Sequence, residues 1–369
     1  MIRREHVPSI IDQYPVCVRF DPLLYMRLYG DCEVLSSPEE FREHLDDPSY
    51  FCGPTLVMCD NLGEAGSIYP LQTLDVVLST RSDEVIEGKL LTYYRQFSCD
   101  PRLLQQSRIA SSICHDAKRE LPDVLVLAII DGLSYSDQLF EDSSPCIVDG
   151  LTTTSYGMRR IVKSTGRPLA VELHMLGYTQ RLGFSYWSPE NERLTGELFE
   201  GFSDEQFRRL KDSRDVFSAL DSLSHRTFVQ IVREGLDGYA HRHRDRPLSR
   251  EAVVVDLRNY LSELVATMRN TGLTANIYLT SDHGILWADD LTNAVCLAGN
   301  QIGTVRYYDL RHDDIPQEAY RVGVLVENHS FLALPKTHCR RKLSALEWGT
   351  HGGISFDECV TPFIVRRIR

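Results

Sequence analysis

Long apolar stretches are missing from this 369-residue chain. The longest run, Val124–Ile130, has the length of a strand and falls far short of the roughly 20 residues that a membrane-spanning helix needs. The opening residues, MIRREHVPSIIDQYP, lack the continuous apolar core of a secretory signal, so a cytoplasmic protein without membrane contact is expected. Paired cysteine motifs are missing as well. The ten cysteines are scattered with no CxxC pair, which argues against a thiolate zinc site and for buried or incidental thiols in a reducing compartment. An excess of basic residues is also absent: the formal net charge is −12, which argues against a simple basic protein that coats nucleic acid. A phosphate substrate is still allowed, because bound divalent cations would concentrate positive charge at one point. There is no internal repeat and no low-complexity tract.

What is present is an alternation of short apolar runs and longer helical patterns. Strands are expected at Thr55–Asp60, Asp123–Asp131, Leu169–His174, Phe228–Val232, Ala275–Thr280, Val322–Glu327, Phe331–Leu334 and Pro362–Ile368. Several are solid Val/Ile/Leu runs, the pattern of strands buried on both faces. Helices are expected at Ser37–Asp46, Glu84–Phe97, Asp204–Leu223 and Arg250–Thr271, the last with apolar residues at helical spacing. The alternation predicts a three-layer α/β/α fold with a mostly parallel central sheet. Leu121-Pro122 marks a boundary between an N-terminal accessory segment, 1–120, and a main domain, 121–369. Within the latter, the polar stretch 177–227 reads as an insertion or lid.

Ligands of open α/β sheets bind beyond the carboxyl ends of the strands, so the residues after each strand carry the chemistry. Asp131-Gly132 ends the most apolar strand, where the acid suits a hard cation, or equally a turn. Thr152-Thr153-Thr154-Ser155-Tyr156-Gly157-Met158 leads into a helix. A hydroxyl there can meet a phosphate or stabilise a developing alkoxide, although capping is the commoner use. Asp237 and His241, four apart on a helical turn, share a face and can share a cation. Ser281-Asp282-His283-Gly284 follows another apolar strand, and His351 sits in the glycine-flanked loop Gly349–Gly353. Just beyond, Ser355-x-x-Glu358 has the form of a capping box. Six Asp and His residues (131, 237, 241, 282, 283, 351) and one hydroxyl thus recur in order, mostly after strands. Singly each has a bland explanation; as a series they point to a metal centre.

This order resembles the alkaline-phosphatase superfamily. More narrowly, VLAIIDG, TTTSYGM, SDHG and THGGISFDECVTP resemble the PglZ domain of bacterial anti-phage defence systems of the BREX type, over roughly residues 121–369. The resemblance implies an alkaline-phosphatase-like core with two divalent cations. One would be held by Asp237, His241 and His351, the other by Asp131, Asp282 and His283, with Thr154 bridging as nucleophile. Asp and His donors suit zinc, with manganese as second choice.

The expected function is a metal-dependent phosphodiesterase or nuclease acting on nucleic acid or nucleotides in anti-phage defence. Arg242 and Arg244, with Arg246 and Arg250, follow the metal-binding turn and could steer a polyanion, although an exposed charged loop explains them as well. Two other readings stand beside it: a phosphomonoesterase on small molecules, and a non-catalytic metal-binding scaffold of a defence complex. Other defence proteins are candidate partners, and a homodimer is left open.

Overall fold

A computed structural model describes residues 33–35, 55–57 and 104–369, the last range without 138, 141, 165, 188–191, 221, 242–248 and 298–302. The chain divides into two compact units, Met1–Leu103 and Leu104–Arg369. In the first, β1 (Glu33–Leu35) pairs in parallel with β2 (Thr55–Val57). The strand expected at Thr55–Asp60 is described only over those three residues, and the helices expected at Ser37–Asp46 and Glu84–Phe97 lie outside the described residues.

The second unit begins with β3 (Leu104–Gln105) and α1 (Gln106–Glu120). The boundary expected at 120/121 therefore falls between Leu103 and Leu104. The reason is α1 itself, whose Ile109, Ala110, Ile113 and Ala117 are buried in the core of the second unit. There follow β4 (Val124–Asp131), β5 (Ser144–Ile147), α2 (Thr154–Lys163), α3 (Leu169–Met175), β6 (Gln180–Ser185), β7 (Phe207–Arg209) and β8 (Thr227–Glu234). The chain continues with α4 (Asp237–His241), α5 (Arg250–Asn270), β9 (Ala275–Ser281), α6 (Phe356–Cys359) and β10 (Val360–Ile368).

Eight strands form one sheet in the order β3-β5-β10-β9-β4-β8-β6-β7. β10 runs antiparallel to both its neighbours, and the other pairings are parallel. β4 is buried at every position because it has a strand on each side and helices on each face. Its side chains alternate between two cores, as the pleat requires. Val124, Val126, Ala128 and Ile130 pack with Leu257, Leu261, Leu264 and Met268 of α5. Leu125, Leu127 and Ile129 pack with Ile113 of α1, Met158 and Ile161 of α2 and Leu173 of α3. Three layers result, as the sequence led us to expect.

Several elements differ from expectation. Leu169–His174 is helical, because Leu169, Ala170 and Leu173 are buried at helical spacing behind Pro168. The stretch 177–227 is no mere insertion: it supplies β6 and β7 to the sheet edge. Within it, pairing of Phe207–Arg209 with Gly183–Ser185 overrides the long helix expected at Asp204–Leu223, of which Asp215–Leu220 remains. The strands expected at Val322–Glu327 and Phe331–Leu334 form over Val324–Val326 and Phe331–Ala333. They pair with each other, and Phe331–Ala333 pairs with Tyr307–Asp309, in a separate three-stranded sheet. Among the described residues, no helix is long and apolar enough to cross a membrane.

Candidate metal centre

β4, β8 and β9 lie side by side and parallel, so their carboxyl ends open on one edge. Asp131 is the last residue of β4, Asp282 and His283 follow β9, and Asp237 and His241 lie on α4, just beyond β8. His351 arrives from the loop before α6. Chain reversal at these ends requires close approaches. Gly132 has φ of 72°, and a Cβ on it would meet Asp237 Cβ at 2.8 Å, so glycine lets α4 fold down onto the end of β4.

The structure brings the six acids and imidazoles together around Thr154. Asp237 Oδ1 lies 3.2 Å from His241 Nε2 and 3.2 Å from His351 Nε2. The His351 ring stacks on His283 with centroids 4.0 Å apart. His283 Nε2 is 3.7 Å from Asp131 Oδ1 and 3.4 Å from Asp282 Oδ2. Thr154 Oγ1 lies 3.1 Å from His283 Nε2 and 3.4 Å from Asp131 Oδ1.

Backbone carbonyls orient two of the imidazoles. His283 Nδ1 donates to Gly284 O at 3.1 Å, and His351 Nδ1 donates to Thr152 O at 3.0 Å. Both rings therefore turn Nε2 toward the acids, which is how a protein presents imidazole to a cation.

The electrostatics are those of a cluster of acids packed together away from water. Burial, then the neighbouring Asp237 charge, pushes the Asp131 carboxyl up to about 7. Burial and then Asp131 hold Asp282 well above the usual carboxylate range. Burial would also raise Asp237, but His351 and then His241 outweigh it and hold that carboxyl well below its usual value. Burial pushes His283 down to about 3, with His351 adding to the effect. His351 is raised instead, because Asp237 overcomes the cost of its burial.

Two donor sets converge within 4.8 Å: Asp237, His241 and His351, and Asp131, Asp237 and His283. Asp237 thus faces both. Asp282 accepts from Gly132 N at 3.0 Å through Oδ1, while its buried Oδ2 has no hydrogen-bond partner. A buried carboxylate oxygen without a hydrogen bond is costly, and a divalent cation would satisfy it. The residues present fit a divalent cation.

Of the three threonines, Thr152 and Thr153 are buried and Thr154 is partly open. Thr152 Oγ1 donates to Gly353 O at 2.7 Å and accepts from Gly352 N at 3.0 Å, bracing the His351 loop. Thr153 stands at the N-cap of α2 without a side-chain cap bond, so the capping explanation fails for this helix. At the other expected helix start, Ser355 Oγ accepts from Glu358 N at 3.2 Å, but the Glu358 carboxylate does not close a capping box. It accepts from Gly353 N at 2.8 Å and pairs with the buried Arg306 at 2.9 Å.

Arg242, Arg244 and Arg246 lie outside the described residues. Arg250 is engaged: it pairs with Asp137 and lies over the Trp287 ring. Other contributors escaped the sequence reading. The Tyr186 hydroxyl donates to Asp131 Oδ2, and an aromatic residue directly after a strand was the available signal. Gln106 Nε2 donates to Ser281 O at 2.8 Å and Asp282 O at 2.7 Å, holding the turn after β9. Nothing local in the sequence marks that glutamine.

Fold and site together describe an α/β protein whose mostly parallel eight-stranded sheet carries a cluster of acids and imidazoles at its carboxyl edge. Residues 191–365 match the BREX system PglZ alkaline phosphatase-like domain. That match spans Asp237, His241, Asp282, His283 and His351, whereas Asp131 and Thr154 precede it. Solved structures that match include human ectonucleotide pyrophosphatase/phosphodiesterase 5, at 12% identity, covering 66% of this chain and 87% of that one, TM-score 0.41. The murine form matches at 13% identity over 66% and 87%, TM-score 0.39. The C-terminal periplasmic domain of phosphoethanolamine transferase EptC from Campylobacter jejuni matches at 10% identity over 67% and 79%, TM-score 0.38. Among curated proteins none matches.

Proposed function

We propose that this chain is a two-metal phosphodiesterase that acts on nucleic-acid or nucleotide phosphodiesters in anti-phage defence, in the cytoplasm. The observation that carries the reading is the Thr154 hydroxyl. It stands at the start of α2, caps nothing, and faces His283 Nε2 and Asp131 Oδ1. Asp237, His241 and His351 would hold one cation; Asp131, Asp282, His283 and Thr154 would hold the other. The donor set suits zinc, then manganese. Such cations supply Lewis-acid charge to phosphate oxygens and lower the pKa of a hydroxyl.

Thr154 Oγ1 attacks phosphorus, forming a phosphothreonine as one ester oxygen departs. Water then cleaves the new P–O bond and returns the hydroxyl. The amino end of α2 favours the negative charge held during both steps.

Diesters are preferred over monoesters in this reading. A monoester dianion carries further charge, which usually calls for an added cationic side chain beside the nucleophile. The two arginines next along the helix are committed elsewhere. Arg159 pairs with Glu197; Arg160 pairs with Glu327 and donates to Gln106 Oε1 at 2.9 Å.

The test is catalytic efficiency on bis-p-nitrophenyl phosphate against p-nitrophenyl phosphate, after chelation and re-addition of zinc or manganese. Metal-dependent cleavage that favours the diester is expected. A clear preference for the monoester would make the protein a phosphomonoesterase, and metal binding without any turnover would make it a scaffold.

A further inference from the structure

Tyr186 makes a contact with the centre that none of the sequence motifs announced. It follows β6 directly, and its backbone N–H donates to Val232 O of β8 at 3.3 Å. The next residue, Trp187, is pinned as well: its N–H donates to Ser185 Oγ at 3.2 Å, and its carbonyl accepts from Arg209 Nη1. The Tyr186 ring packs against that buried indole at 5.9 Å and against the apolar core beneath β4. Backbone and ring are therefore fixed from several sides, and the hydroxyl reaches Asp131 Oδ2.

We infer that Tyr186 is a positioning residue that occupies Asp131 Oδ2 and leaves Oδ1 as that acid's single metal-facing oxygen. Asp131 Oδ1 is the atom nearest the chemistry, with Thr154 Oγ1 at 3.4 Å and His283 Nε2 at 3.7 Å. A carboxylate with both oxygens unbound could rotate or chelate through the pair. A phenol hydrogen bond to one oxygen removes that freedom, and a bond to an ionised acceptor is among the stronger hydrogen bonds. Supporting partners of this kind commonly set metal affinity by 10–100-fold. The contact Tyr186 makes with the centre is its hydrogen bond to Asp131, and it acts through that acid.

The inference rests on the two-metal reading, and Tyr186→Phe tests it because only the hydroxyl is lost. The control is Tyr178→Phe, whose hydroxyl donates to Pro122 O at 2.9 Å, before the amino end of β4. Zinc and manganese binding are measured by calorimetry, with thermal melting alongside. We expect the Tyr186 variant to melt close to the parent, to bind one of two ions roughly 10–100-fold more weakly, and to show a lower kcat with KM unchanged. Raised metal should restore kcat, which a damaged fold would not allow, and the Tyr178 variant should match the parent. Isotherms identical to the parent would overturn the inference. Crystal structures of the metal-free parent and Tyr186 variant add a readout that survives failure of the two-metal reading. Asp131 should keep its orientation in the parent and turn in the variant, and an unmoved carboxylate would overturn the positioning role by itself.

Discussion

Gly157 lies against Asp282 so closely that a Cβ built on the glycine would stand 2.1 Å from the Asp282 carbonyl oxygen. That approach seats the first turn of α2 on the turn after β9 and so sets Thr154 beside His283. Gly157→Ala should therefore push the helix outward. We expect a stability loss of about 1–3 kcal/mol from overpacking. Activity should fall by about 100-fold, the effect of a displacement near 1 Å. Denaturant melts and diester kinetics check both; an active variant would show that the helix position does not set the chemistry.

Thr154→Ala should abolish turnover and leave melting temperature and metal content close to the parent, since this hydroxyl caps no helix and fills little core. Thr153→Ala should stay active, because its buried Oγ1 has no hydrogen-bond partner and caps no backbone N–H of α2. Rates of the two variants on one diester decide the matter. Activity in the Thr154 variant with loss in the Thr153 variant would move the nucleophile.

Metal loading should release protons. With Asp131 pushed up to about 7 and Asp282 held well above its usual range, both carboxyls carry protons in the metal-free protein under mildly acidic conditions. His351 is raised and holds a proton as well. A cation needs these donors bare, so apparent affinity should rise as pH climbs through about 7. Calorimetry below neutrality, in buffers of different ionisation enthalpy, reads the proton count, and a heat independent of buffer would contradict the expectation.

Glu358 and Arg306 form an ion pair with both side chains fully buried. Arg306 also donates to Leu334 O at 3.0 Å and Pro335 O at 2.9 Å, and Glu358 holds Gly353 N next to the His351 loop. Removing one partner strands the other charge. Glu358→Ala should cost about 3–5 kcal/mol in urea unfolding and weaken metal binding through the loop. A near-neutral effect would mean that the guanidinium finds compensation from carbonyls alone.

Much of the centre was legible in the chain because its signals are local. An acid after a solid apolar strand, Asp237 and His241 four apart, and Ser-Asp-His-Gly at a strand end each declare their chemistry within a few residues. β4, β8, β9 and α5 were legible for the same reason, since burial on both faces or on one stripe leaves a period in the sequence. The sheet edges were not. β6, with Gln180, Arg181 and Leu182 only partly buried, and β7, with Arg208 exposed, carry no apolar run, and pairing with a neighbour alone makes them strands. Leu169–Met175 shows the converse, an apolar run turned helical by its packing on β4.

The sequence by itself determined which residue types are available to hold cations, and that they follow strands whose ends share one edge. Tertiary structure decided what those residues do to one another. It set Asp237 against two imidazoles, turned the Nε2 atoms inward through carbonyls of Gly284 and Thr152, and separated Thr154 from its two neighbours by exposure and orientation. It also recruited Tyr186 and Gln106, 55 and 176 residues away from the acids they serve. A hydrogen bond depends on distance and angle, not on separation along the chain, so partners of this kind leave no periodic or local trace.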